Sequence, residues 1–141
     1  MNKAWAVTWA TFLASIAVVV NQFKIPPVMQ TLLTEFQLDL TLGGWLMSVF
    51  SVAGILLSLP AALTLDRVGA KLSGSIGLLF TILGSLVGTF ASSSAMLLIG
   101  RAIEGIGFGL IAVIAPAVIA MWFPPEKRGL PMGIWAAWVP V

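Results

Sequence analysis

Long apolar stretches separated by short polar breaks organise this chain. The first runs from about Ala4 through Phe23 and on past Pro26 and Pro27 to about Leu33, that is 4–33. The second covers 42–65, with Pro60 late in it, and the third covers 72–91. The fourth covers 95–123 and holds Arg101, Glu104 and Pro116. A fifth begins near Leu130 and is still apolar at Val141, so 130–141 reads as an incomplete span. A helix rises about 1.5 Å per residue, and crossing a hydrocarbon core of about 30 Å takes roughly 20 residues. The first four stretches meet that length; the fifth does not. Strict polar–apolar alternation, which a membrane barrel needs, appears nowhere over useful length. In lipid every backbone group must be satisfied internally, which leaves helices. The pattern predicts an all-α membrane protein with four transmembrane helices plus the start of a fifth, the front part of a longer bundle.

Composition sharpens this picture. Of 141 residues, 60% are hydrophobic and only 9% charged, with a mean hydropathy of +1.09. A soluble domain carries roughly a quarter charged residues, so the solvent of this chain is largely lipid. Lys3 before an apolar run mimics a signal peptide, but no small-residue cleavage site follows through Val18, Val19 and Val20, so the first helix is read as retained. Histidine and cysteine are absent, which excludes thiol chemistry and the usual zinc sites; neither a metal nor a cofactor is expected. A membrane enzyme would need facing Asp, His or Ser–His groups. Here Asp39 and Asp66 both lie outside the spans, so the chain does not read as an enzyme.

The net charge of +2 is small and points to no nucleic acid; its distribution says more. With a cytoplasmic N-terminus, the inner segments hold Lys3, Arg67, Lys71, Lys127 and Arg128, while the outer loops hold Glu35, Asp39 and Ser92-Ser93-Ser94. Basic residues gather on the cytoplasmic side of membrane proteins. The expected setting is therefore a multi-pass protein of the plasma or inner membrane. Trp5 and Trp122 fall near the inner interface and Trp45 near the outer, as an aromatic belt requires.

Three segments carry candidate chemistry. The inner turn, PAALTLDRVGAKLSG, places Asp66, Arg67, Gly69 and Lys71 where the chain reverses, and Gly69 permits a positive φ. These residues read equally as a charged turn that marks the cytoplasmic side. In the fourth helix, LLIGRAIEGIGFGLIAVIAP, an arginine in hydrocarbon costs on the order of 3 kcal/mol even on a lenient scale. Arg101 and Glu104, three apart, share a face and partly neutralise each other. Gly105, Gly107 and Gly109 then offer a smooth surface for close helix approach. A packing ion pair and a charged group beside a water-filled path are both open readings. In the first helix, NQFKIPPVMQ gathers Asn21, Gln22 and Lys24 ahead of two prolines. Counted along their helices, Lys24 lies about 8 Å and Arg101 about 12 Å outward of the midpoint. Two cations at similar depth suit a small anionic solute; alternatively, Lys24 snorkels to the outer interface. The third helix adds Gly84 and Gly88, a weakly specific packing step.

These motifs, in this order, resemble the major facilitator superfamily. Its inner loop pattern, G-xxx-D-R/K-x-G-x-R/K-R/K, is met by Asp66, Arg67, Gly69 and Lys71, with Ala62 and Ala70 as departures. A helix-four arginine followed by glycines is met by Arg101, Gly105 and Gly107, and MWFPPEKRGLPMG, from Met121 to Gly133, resembles the link into helix five. The NQFK-IPP stretch is faintly similar to cyanate- and anion-type permeases of that superfamily. The resemblance covers essentially the whole chain. It implies that residues 1–141 are the truncated N-terminal six-helix bundle of a twelve-helix secondary transporter working by alternating access, with helices one and four lining its cavity. It also implies an inner gate of Asp66, Arg67, Gly69, Lys71, Glu126 and Arg128, with Asp66 pairing across to Arg128 or Arg67 to Glu126. The partners implied are the bilayer, a small solute, a coupling proton acting through Glu104, and the remaining C-terminal helices. The rival is a polytopic structural or assembly subunit without transport, which explains the length but not three intramembrane charges.

Reporter fusions at the Arg67 turn and the Ser93 turn should report opposite sides of the membrane, with the Arg67 turn cytoplasmic. Both on one side would contradict the four-span reading.

Overall fold

The computed structural model describes residues 3–138; residues 139–141, the last part of the expected fifth span, lie outside them. The helices are α1 (Lys3–Phe23), α2 (Ile25–Glu35), α3 (Leu40–Thr89), α4 (Ser94–Trp122) and α5 (Gly129–Ala136), with one 3₁₀ turn at Pro125–Lys127. No strand occurs among the described residues. Three helical stretches are long and apolar enough to cross a membrane: Lys3–Glu35, Leu40–Thr89 and Ser94–Trp122.

The middle stretch accounts for two crossings. Straight, a helix of 50 residues would measure about 75 Å, more than twice the hydrocarbon thickness. It folds back at Gly69, whose φ of 80° and ψ of 167° belong to a region that essentially only glycine enters. The sequence predicts a charged loop between spans 42–65 and 72–91. Instead the helix continues through Asp66 and Arg67 to Val68, and one residue makes the reversal.

Packing against α4 fixes the topology. In the outgoing arm of α3 (40–68), Leu46 faces Arg101, while Phe50 and Gly54 face Gly105 and Gly109; the two helices advance together and are parallel. In the returning arm (70–89), Gly77 faces Gly107 and Ile111, whereas Gly84 faces Gly100 and Glu104, so this arm is antiparallel. α1 is antiparallel to α4 as well. Trp5 meets Phe123 edge-on at 5.6 Å between ring centroids, Val18 packs with Ile111, and Asn21 lies at Arg101. The start of α1, the Gly69 reversal and the link after α4 therefore share one end. Lys3, Arg67, Lys71, Lys127 and Arg128 all belong to that end, as the charge distribution predicts. The other end is finished by N-caps. Asp39 Oδ1 accepts from the Leu42 amide at 2.7 Å, and Ser93 Oγ accepts from that of Met96 at 3.3 Å; each meets a donor that the first helical turn leaves orphaned.

Glycines set how closely these helices approach. A Cβ on Gly84 would fall 2.6 Å from the Glu104 amide nitrogen, and one on Gly100 would fall 2.9 Å from the Gly84 carbonyl. Added methyls on Gly105, Gly107 and Gly109 would strike Phe50, Thr81 and Gly54 in turn. Gly88 lies beside Gly100 without needing to be bare itself. Buried clusters fill the space between: Ile25, Leu38, Leu46 and Leu97 at one end, and Ala61, Leu110, Ile114 and Val118 towards the other. The outer faces stay apolar, with Leu59 81% exposed, which suits lipid or further helices and not water.

Gly105→Ala, whose methyl meets the main chain of Phe50, should destabilise by about 1–3 kcal/mol as overpacking does. Gly74→Ala, with nothing within 4 Å of the new methyl, should be neutral or slightly stabilising because it restricts the unfolded chain. Thermal unfolding of both variants in the same detergent checks the ranking.

Candidate functional site

The site grows from two prolines. In an unbroken helix the Asn21 carbonyl would accept from Ile25 and the Gln22 carbonyl from residue 26. Pro26 has no N–H, and its ring crowds the carbonyl four residues back. The helix accordingly breaks at Lys24, between α1 and α2, where the sequence predicts one helix continuing to Leu33. Bare carbonyls in hydrocarbon are costly. Arg101, reaching across from α4, supplies the missing donors: Nη1 donates to the Asn21 carbonyl at 2.7 Å and Nη2 to the Gln22 carbonyl at 3.3 Å.

The same guanidinium is held on every side. Its Nε donates to the Leu46 carbonyl in the outgoing arm of α3 at 3.1 Å, and Nη1 also donates to Glu104 Oε2 at 2.6 Å. The Phe50 ring stacks beneath it, 4.3 Å from centroid to Cζ, adding a cation–π contact. Only 3% of Arg101 is exposed. Its depth is tolerable because nearly every donor has an oxygen.

Glu104, 1% exposed, is the shared counter-ion. Oε2 takes Arg101, while Oε1 takes the ammonium of Lys24 and the Ser85 hydroxyl at 2.8 Å. Asn21 closes the ring: its Oδ1 accepts from Lys24 Nζ at 3.0 Å and lies 2.6 Å from Ser85 Oγ, whose single proton serves either this oxygen or Glu104 Oε1, and its amide donates to the Ala17 carbonyl at 2.9 Å. Two cations and one carboxylate leave the cluster with a net charge of one positive. Lys24 therefore does not snorkel outward; it turns inward, although about a third of its side chain stays accessible.

Of the residues that the sequence singled out, Asn21, Lys24, Arg101 and Glu104 come together in one network. Ser85, which bridges three of them, and the main-chain oxygens of Asn21, Gln22 and Leu46 were not foreseen. The signal for the carbonyls was present: a proline at 26 orphans residue 22. The inner-end residues behave differently. Asp66, Arg67, Gly69, Lys71 and Glu126 are exposed, and the two ion pairs among the described residues are those of Glu104. The expected pairs of Asp66 with Arg128 and of Arg67 with Glu126 are not formed. Arg128 instead donates to the carbonyls of Ala120 at 2.6 Å and Phe123 at 2.8 Å, finishing the end of α4, where cations favour the helix dipole.

The profile of the Major Facilitator Superfamily matches residues 9–141. An uncharacterized MFS-type transporter of Bacillus subtilis, YhcA, is 34% identical over 117 residues, covering 82% of this chain and 22% of that protein. The nitrate/nitrite transporter NrtP of Picosynechococcus is 31% identical over 140 residues, covering 96% of this chain and 25% of its own length. NrtP of Nostoc punctiforme is 29% identical over 143 residues, covering 98% and 26%. The chain spans about a quarter of the length of these curated relatives.

Removing one partner of a buried ion pair costs about 3–5 kcal/mol, because the other is left uncompensated. Glu104→Gln, which orphans two cations, should therefore destabilise more than Lys24→Met, which leaves the Arg101–Glu104 pair intact. Unfolding in a common detergent reads the order, and equal losses would contradict Glu104 as the shared counter-ion.

Proposed function

The chain belongs to the Major Facilitator Superfamily, and on that footing we propose that it supplies the first helices of a secondary transporter that carries a small anion by alternating access. The observation that carries the substrate class is the net-positive cluster of Lys24, Arg101 and Glu104, held with Asn21 where α1, α3 and α4 meet. An uncompensated positive charge within the membrane is costly, and an anion that arrives beside it offsets that cost. The names of the two cyanobacterial relatives, nitrate/nitrite transporters, point to oxyanions of that size.

In this reading the chain lies in the plasma or inner membrane with its basic end in the cytoplasm, and the remaining helices complete a twelve-helix protein. Asp66, Arg67, Gly69, Lys71, Glu126 and Arg128 form the surface of the inner gate. The exposure of the first five supports contact with the second half instead of with each other, while Arg128 braces the end of α4. A coupling proton would act at Glu104, where neutralising one carboxylate releases two cations at once.

The full-length polypeptide, reconstituted in liposomes, tests the substrate class by counterflow. Saturable nitrate exchange without inositol exchange is expected. Inositol is the informative neutral probe, because a myo-inositol transporter of Cryptococcus is also similar, at 33% identity over 92 residues. Inositol exchange without nitrate exchange would overturn the anion reading. Asp66→Asn should cut nitrate exchange at least roughly tenfold, a loss of about 1.4 kcal/mol, at unchanged membrane levels; an unimpaired rate would remove Asp66 from the gate.

A further inference from the structure

A depression of about 350 Å³ lies between the end of α1 and the outgoing arm of α3, lined by Gln22, Met47, Ser48, Ser51, Val52 and Arg101. It differs from the space beside Lys24, which is bounded by Ile25 of α2, Ser85 and Gly88 of the returning arm, and Glu104 of α4. Arg101 lines both, so its charge is presented on two sides of the break in the first span.

Depth makes the first depression informative. Ser51 follows the start of α3 by about 16 Å of helix, and its neighbour Phe50 stacks on Arg101. Ser48 and Ser51 are nevertheless exposed. The Ser48 hydroxyl is satisfied by the Gly44 carbonyl, but that of Ser51, facing hydrocarbon, would lose its hydrogen bonds to water without replacement. Further along that face Ile55 is 69% and Leu59 81% exposed, and the Ser58 hydroxyl there is bonded to the Ile55 carbonyl at 2.6 Å; the Ser51 hydroxyl, at the level of Arg101, has no such partner among the described residues.

The donors can be counted. A guanidinium has five N–H groups. Nε gives one to Leu46, Nη1 gives two to Asn21 and Glu104, and Nη2 gives one to Gln22. One donor remains, on Nη2, the nitrogen nearest Gln22. The Gln22 side chain makes no hydrogen bond among the described residues, where only its main-chain carbonyl meets a side chain, so its amide adds two more donors. Ser51 adds a hydroxyl. Ser48 does not, because its proton goes to the Gly44 carbonyl at 3.0 Å. Lys24, on the opposite side, is fully engaged with Glu104, Asn21 and Ser85.

We propose that Gln22, Ser51 and the spare Nη2 donor of Arg101 form the subsite that contacts the transported oxyanion, while Lys24 positions Glu104 from behind and does not touch the solute. This rests on the anion-transport reading. Three convergent groups with four donors between them, around one positive charge, suit a small planar or tetrahedral oxyanion, whose oxygens accept and never donate. A neutral polyol brings no charge to offset that of the guanidinium.

The chain has no cysteine, so in the full-length protein, with any cysteines elsewhere replaced, Ser51→Cys gives a unique probe in this segment. An anionic thiosulfonate reagent should modify it, and nitrate should slow that modification about fivefold or more. Leu59→Cys, on the same face, should show no nitrate protection. Gln22→Leu should raise the half-saturation for nitrate counterflow about tenfold, as loss of a hydrogen bond to a charged group does, with the maximal rate within about twofold of the parent. If the parent exchanges nitrate but Ser51→Cys reacts equally with and without it, or Gln22→Leu leaves half-saturation unchanged, the subsite is overturned and the transport reading survives. If the parent exchanges no anion, the transport reading itself has failed and the subsite falls with it.

Discussion

A guanidinium keeps its charge at any physiological pH, so an arginine within hydrocarbon must find oxygen for its donors or not be there at all. Arg101 finds it on three different elements: the frayed end of α1, the outgoing arm of α3, and Glu104 one turn along its own helix. That single requirement ties together features that would otherwise look unrelated. The proline break exposes carbonyls that need a donor, and the arginine needs acceptors. Each would be costly alone, and each removes the cost of the other. Hydrogen bonds to charged groups contribute about 1.5–3 kcal/mol apiece, so four of them offset an insertion cost of about 3 kcal/mol.

The arrangement works only because the helices stand very close. A main-chain oxygen of α3 can be an arginine's acceptor only if nothing bulky separates the helices, and the bare faces at Gly105 and Gly109 admit the outgoing arm. Gly84 and Gly100 do the same for the returning arm, bringing Ser85 within reach of Glu104. The small residues of α4 thus serve the charge cluster as well as the packing. They let backbone, and not long side chains, solvate a buried cation, which fixes its position more tightly than flexible partners would.

Much of the fold was legible in the sequence. Hydropathy located the spans, and the distribution of Lys and Arg separated the two ends that the packing of α1, α3 and α4 then joins. Gly69 was read as a place where φ could turn positive, and it does; the surprise was that one such residue replaces a loop, because the helical pattern runs unbroken through Asp66 and Arg67. The site was half legible. Arg101 and Glu104 follow from their spacing of three, but Lys24 was placed by counting along its own helix, which says nothing about which way a long side chain turns. Ser85 was invisible for the same reason: a serine among glycines reads as packing until its neighbour's carboxylate is known. The inner-end pairs were expected from motif residues alone, yet Arg128 found main-chain carbonyls nearer than any acid.

The interruption at Lys24 has a mechanical side. A regular helix transmits tilt along its whole length, but here the ladder of bonds is open at one point and the gap is bridged by a side chain from elsewhere. The outer piece, α2, is anchored through Ile25 to Leu38, Leu46 and Leu97. The inner piece, α1, is anchored nearer the basic end through Trp5 and Val18. The two pieces are therefore joined at this level by a side chain from α4 and not by a continuous helical ladder, and the bonds from Arg101 to Asn21 and Gln22 are the ones that a difference in tilt between them would strain.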